Sequence, residues 1–151
     1  VHVPTPDEVA QSLGVRSVLE AYSAREAAPH ATKERVARLR QLHDAGMAAL
    51  AADDEAALVA ANADFHGYVA AMSGNRVLVE LISQVERRVR WYYTPIALPR
   101  GKEAWQEHDG LIKAIAAGDA DLAERLMRVH TERTTEFYRK EFVHVNQTPS
   151  G

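Results

Sequence analysis

The sequence has no cysteine, which excludes disulfide bridges, thiolate metal sites and a cysteine nucleophile together. Glycine and proline are sparse, 8 and 6 in 151 residues, while hydrophobic residues make up 46%. A chain of that composition and length buries a continuous core as one domain. β-Branched runs are missing and alanine is abundant, so the expected class is all-α. No stretch approaches the roughly 18 apolar residues of a membrane span, and no membrane partner is expected. The N-terminus carries no basic-then-apolar signal sequence, and a cytoplasmic location is the default expectation. A cationic surplus is also lacking: 18 Lys and Arg stand against 21 Asp and Glu, a formal net charge of −3. Duplex nucleic acid is held largely through such a surplus, so this stretch is not expected to touch DNA by itself.

What is present reads as a series of amphipathic helices. Thr5-Pro6-Asp7-Glu8 combines a capping threonine, a proline at the first helical position and a glutamate three residues after the cap. The helix it starts should stop near Ala28, before Pro29. Val9, Leu13, Arg16, Glu20, Ser23 and Ala27 share one face, with Val15, Leu19 and Tyr22 on a neighbouring one. Arg16 and Glu20 read either as an i,i+4 ion pair or as an arginine turned toward a ligand. A second helix is expected from Thr32 to Leu50, with His43 at the edge of its apolar stripe. The third carries Leu58, Asn62, Phe65, His66, Val69 and Met72 and ends at Ser73-Gly74, where Asn75 caps the next.

A fourth helix is expected from Arg76 to Tyr93, with Arg88 beside its apolar face and Arg87 and Arg90 outward. Pro95 and Pro99 bracket a predicted loop, T-P-I-A-L-P-R-G. A fifth helix then starts near Lys102 and carries Trp105, His108, Leu111 and Ile112. Gly118-Asp119 ends it and caps a sixth, Ala120 to Phe142, with Met127, His130 and Thr134 inward. The domain expected is 7–142, followed by a flexible tail at 143–151.

Asn62 and His66 are four residues apart and so lie about 40° apart around a helix, pointing the same way, while Asp64 is about 160° from His66. His108 and His130 sit at inward positions on two other helices. Each histidine alone reads as a hydrogen-bonded core residue or as a ligand. Imidazoles suit Zn²⁺, Ni²⁺, Cu²⁺ and Fe²⁺, and facing helices of a bundle can assemble such sites. No HExxH and no paired Glu-x-x-His occurs, so neither zincin protease nor di-iron carboxylate chemistry is indicated.

In their order these pieces are familiar. V-R-S-V-L-E-A-Y-S-A-R-E-A-A at 15–28, N-A-D-F-H-G-Y-V-A-A-M-S-G-N at 62–75 and E-H-D-G-L-I-K-A-I-A-A-G-D-A-D-L-A-E-R-L-M-R-V-H at 107–130 resemble the FCD domain, the C-terminal ligand-binding domain of FadR-type regulators in the GntR family. With the helix order, the resemblance covers about residues 7 to 140. It implies an antiparallel bundle of about six to seven helices around a central cavity. It also implies a divalent transition metal, zinc first, with nickel, iron or manganese as alternatives. Carried across residue by residue, the ligands are Asn62, His66, His108 and His130. Asn62 departs from the aspartate usual at that position, which leaves the site one negative charge poorer. A small organic acid, a common effector of such domains, would then bridge the metal and Arg16 or Arg88, with Glu20 beside them. The family further implies a homodimer and a winged helix-turn-helix outside this chain, through which operator DNA is bound. P-D-E-V-A-Q-S-L-G-V-R-S-V mimics the rhythm of such a motif, but it reads as the first helix of the bundle.

Two other readings compete. A mononuclear metal-dependent hydrolase or lyase would need an open metal position beside a base, and Glu20 and Glu107 are the carboxylates expected near the cavity. A metal-free interaction module would use its histidines as core residues.

Overall fold

The structure is a computed structural model and describes residues 2–143; the expected tail at 143–151 lies outside these except for Val143. Five α-helices account for nearly all of the described chain: α1 Pro6–Ala27, α2 Lys33–Ala51, α3 Glu55–Met72, α4 Arg76–Ala116 and α5 Ala120–Tyr138. A 3₁₀ turn, Ala28–His30, follows α1, and a π-helical turn, Arg139–Val143, follows α5. No strand occurs among the described residues. None of the helices is long and apolar enough to cross a membrane.

The helix starts follow their caps. Thr5 accepts a hydrogen bond from the Glu8 amide while the Glu8 carboxylate accepts one from the Thr5 amide, closing the capping box. Asp54, Asn75 and Asp119 each accept from the amide three residues on, satisfying N–H groups the helix leaves free. Gly74 and Gly118 occupy the left-handed region, with φ of 70° and 69°, as expected of residues just past a helix end.

One expectation is overturned. Residues 94–101 do not form a loop; α4 runs unbroken for 41 residues through Pro95 and Pro99, so five helices replace the six or seven expected. The reason lies in the spacing. Trp91, Pro95 and Pro99 are four apart and all exposed, whereas Ile96, Ala97, Arg100 and Gly101 are buried. Each proline removes one i→i−4 bond, and the carbonyls thereby freed, on Trp91 and Pro95, lie on the solvent side, where water can satisfy them. Burial of the opposite face then outweighs the local cost.

The helices α1, α3, α4 and α5 pack around one another, and α2 lies outside against α3 and α4. Phe65, Leu39, Trp105, Leu111, Ile112, Ile115 and Met127 are fully buried, each contributing on the order of 1.5–3 kcal/mol of apolar burial. Gly46 on α2 lets Trp105 approach closely: a Cβ at that position would lie 2.1 Å from the indole. The indole in turn packs edge-on against His108, their ring centroids 4.4 Å apart, so α2 reaches the centre of the bundle through this contact.

Candidate metal centre

His66, His108 and His130 come from α3, α4 and α5 and meet at the bundle centre, all buried. Their Nε2 atoms form a triangle with sides of 3.2 Å (His66 to His108), 3.1 Å (His108 to His130) and 3.4 Å (His66 to His130). Phe65 stacks on the His108 ring at 4.3 Å, and Trp105 closes a second side, so the central imidazole is fixed by packing.

The outer nitrogens decide the tautomers. His130 Nδ1 lies 2.8 Å from Glu107 Oε1, so it donates its proton there and turns an Nε2 lone pair inward. His66 Nδ1 lies 3.1 Å from Glu20 Oε1, within ion-pair distance but without hydrogen-bond alignment. A proton on that nitrogen likewise turns the His66 lone pair inward. His108 Nδ1 is buried with no hydrogen-bond partner. One proton on His108 Nε2 could serve only one of the two facing lone pairs, whereas a cation at the common point serves all three nitrogens.

The distances agree with that. Nitrogens about 2.0–2.1 Å from a single ion are about 3.4 Å apart in tetrahedral and about 3.0 Å apart in cis-octahedral coordination. The residues present therefore fit a divalent transition metal. A ligating imidazole must be neutral, and burial favours the neutral form of two of the three. Burial drives the His108 pKa well below its ordinary value, helped by His130 and His66. Burial also lowers that of His130, to about 4, even though the Glu107 hydrogen bond pulls the other way.

The two carboxylates are themselves held by arginines. Arg16 and Glu20 are an almost fully buried pair, Nε to Oε2 3.2 Å, so the i,i+4 ion pair forms, and it lies in the core and not at the helix surface. Burial works to raise the Glu20 pKa, but Arg16, then His66 and His130, bring it down to about 2. Glu107 is half-buried; burial acts upward on it too, and hydrogen bonds from His130, Arg100 and Arg133 bring it to about 2.

Asn62 is buried and shares a small internal pocket with Arg16, His66, Tyr93, His130 and Thr134. Its volume of about 10 Å³ is room for about one water molecule. Asp64 is exposed, as its helical position requires. Arg88 is not brought to the site: it is exposed and lines a surface groove with Gln11, Val15 and Tyr92. Its neighbour Val89, at 1% exposure, is the residue of that turn which faces the core.

The buried arginine that the sequence reading missed is Arg100. Its Nε donates to Thr134 Oγ1 at 3.1 Å and its Nη2 to the His130 carbonyl at 3.1 Å and to Glu107. Arg100 thus anchors the α5 backbone at His130 and the carboxylate that orients its ring. Placed in the predicted loop just after Pro99, it carried no helical register. Continued through Pro99, the helix puts Arg100 on the same face as Tyr93 and Glu107, seven residues away on either side.

Fold and site together define a class: an all-α bundle organised around a buried cluster of three imidazoles backed by ion-paired carboxylates. More narrowly, residues 11–133 match the FCD domain, and the chain belongs to that family, the ligand-binding domain of GntR-family regulators, which is a sensing domain and not an enzyme. Among solved structures it is similar to E. coli McbR/YncC, with a TM-score of 0.77 at 19% identity, over 90% of this chain and 65% of that one. The likeness is one of fold, and this chain spans somewhat less than two thirds of the length of that neighbour. No curated protein sequence matches the chain.

Proposed function

We propose that this chain is the effector-sensing domain of a GntR/FadR-type transcriptional regulator that binds a divalent transition metal, zinc first, and through it a small organic acid. His66, His108 and His130 would hold the ion, with the Asn62 amide oxygen as a fourth, neutral donor. The bound ion would supply positive charge and exchangeable positions for an anion. What this chain itself does is better defined. Glu20 and Glu107 orient two of the imidazoles, and Arg16 stands at the Asn62 side as the guanidinium able to pair with a carboxylate. The observation that carries the reading is the Nε2 triangle, 3.1 to 3.4 Å on a side, formed by three buried histidines.

Each carboxylate near the cluster is already engaged by an arginine and a histidine, which favours reversible binding over turnover. The internal pocket, about 10 Å³, is smaller than an organic acid, so effector binding must move the side chains that line it. Such a movement would be the signal, passed to a DNA-binding domain outside this chain. Val15, Val18 and Tyr22, spaced i, i+3, i+7 on α1 and exposed by 54%, 55% and 44%, offer an apolar stripe consistent with a homodimer.

The test is calorimetric titration of zinc-loaded protein with a panel of small carboxylic and sugar acids. At least one acid should bind, and that binding should be lost in both His108→Ala and Arg16→Ala; binding that survives both substitutions would refute the bridging role.

A further inference from the structure

A second pocket approaches the histidines from outside, between α1, α3 and α4. Its volume is about 200 Å³. Ala63, Gly67 and Ala70, small residues at i, i+4, i+7 of α3, form one wall, and Val79 and Ile82 of α4 form the other. Glu86 and Ser83 line it on α4, and Glu20 and His66 close its inner end.

Three observations give this pocket a direction. Glu20 is 1% exposed, and neither of its carboxylate oxygens has an aligned hydrogen-bond donor. Its pairings with Arg16 and His66 are at ion-pair distance but unaligned, and a buried carboxylate so held keeps acceptor capacity for a cation that can reach it. The ionisable groups lining the pocket are Glu20, Glu86 and His66, with no lysine or arginine among them; Arg90 stands 3.7 Å from Glu86 and Arg16 pairs with Glu20. The other pockets beside the site each carry an arginine. The small pocket beside Asn62 contains Arg16, and in the surface pocket that reaches Glu107, lined also by Glu103, Arg133 is bonded to Glu107. Cations are drawn along walls of negative charge and anions along positive ones.

We propose that the pocket between α1, α3 and α4 is the route by which a divalent cation reaches the histidine cluster, with Glu86 and then Glu20 as successive carboxylate way-points and His66 as the receiving ligand. Anions are left to the Arg16 side, so the two partners of the site arrive by different paths. This rests on the metal-binding reading above.

Gly67 is where the route can be narrowed without disturbing the fold, because a Cβ there would have no atom within 4 Å. The experiment loads metal-free protein with Co²⁺ alone, follows its visible absorption in stopped flow, and measures release with an excess of chelator. In Gly67→Leu, uptake and release should slow together by tenfold or more with the dissociation constant unchanged, since a path shared by both directions alters rates and not the equilibrium. Glu86→Gln should slow uptake several-fold and reduce its dependence on ionic strength. Gly14→Leu, equally open and lining a groove elsewhere, should behave as the parent. Normal uptake by the parent with unchanged rates in Gly67→Leu and Glu86→Gln overturns the route alone. No uptake by the parent overturns the metal reading and the route with it.

Discussion

His108 Nε2 and His130 Nε2 face each other at 3.1 Å, in a region where the two residues are 0% and 5% exposed. Two imidazoles at that distance can share one proton. Adding His66 Nε2 at 3.2 and 3.4 Å from them makes a set that protons alone do not satisfy. Buried polar groups lacking partners cost about 1–3 kcal/mol each, so a fold that keeps this set has a use for it.

Removing a corner should therefore remove the ion. In the parent, Zn²⁺ at about 100 times its dissociation constant should add about 2.7 kcal/mol of stability, which is a rise of several degrees in melting temperature. In His130→Ala that rise should vanish. A thermal-shift series with and without Zn²⁺ reads the difference directly, and each variant's metal-free melt serves as its own baseline.

On the proposed metal-binding reading, Glu107 would act on the ion through His130. Glu107→Gln keeps the shape but takes away the charge that orients the ring, and carboxylates that hydrogen-bond a ligating imidazole are worth roughly 10–100-fold in metal affinity. Competition with a chromophoric chelator should show a loss of this size in Glu107→Gln, and no loss in Asp64→Asn, whose side chain is exposed.

If Asn62 is the proposed fourth donor, Asn62→Asp would bring a carboxylate to three neutral imidazoles, and Zn²⁺ affinity should rise about tenfold or more, on the order of 1.4 kcal/mol. The same charge should weaken binding of a carboxylate effector beside Arg16. If calorimetry shows neither change, residue 62 is not a ligand.

The metal-free domain should lose stability in acid from an early point. His108 and His130 have folded-state pKa values below the ordinary 6.5, the latter about 4. Above pH 6.5 both states are neutral and nothing is lost. As pH falls from 6.5 toward 4 the unfolded chain takes up protons that the fold refuses, so stability declines. For His130 alone the decline is on the order of 3 kcal/mol. Glu20 and Glu107, held near 2, act in the same direction below pH 4.5. Thermal melts of metal-free protein from pH 8 to pH 4 should fall most steeply below pH 6.5, and the fall should be shallower in His130→Gln.

Much of this was legible in the sequence because helical periodicity constrains side-chain direction strongly. Thr5, Asn75 and Asp119 mark helix starts, and the apolar neighbours of His66, His108 and His130 place all three inward. Arg16 and Glu20 shared the face of Leu13 and Ser23 and are buried with them. Two errors have physical causes. Pro95 and Pro99 suggest a break, but both lie on the exposed side, where water can take the freed carbonyls and burial of the opposite face outweighs the local cost. That error hid Arg100. Arg88 reads as lying beside the apolar face of its helix, but the buried residue of that turn is Val89. Contacts between helices, such as Glu20 with His66 or Arg100 with Thr134, depend on packing angles that periodicity within one helix does not contain.

The central claim is that one divalent ion sits among three imidazoles, and metal titration of the metal-free protein tests it most directly. Calorimetric titration with Zn²⁺ should give one site per chain in the parent and no site in the triple variant His66→Ala, His108→Ala, His130→Ala. No binding by the folded parent, or the same binding by the triple variant, would contradict it.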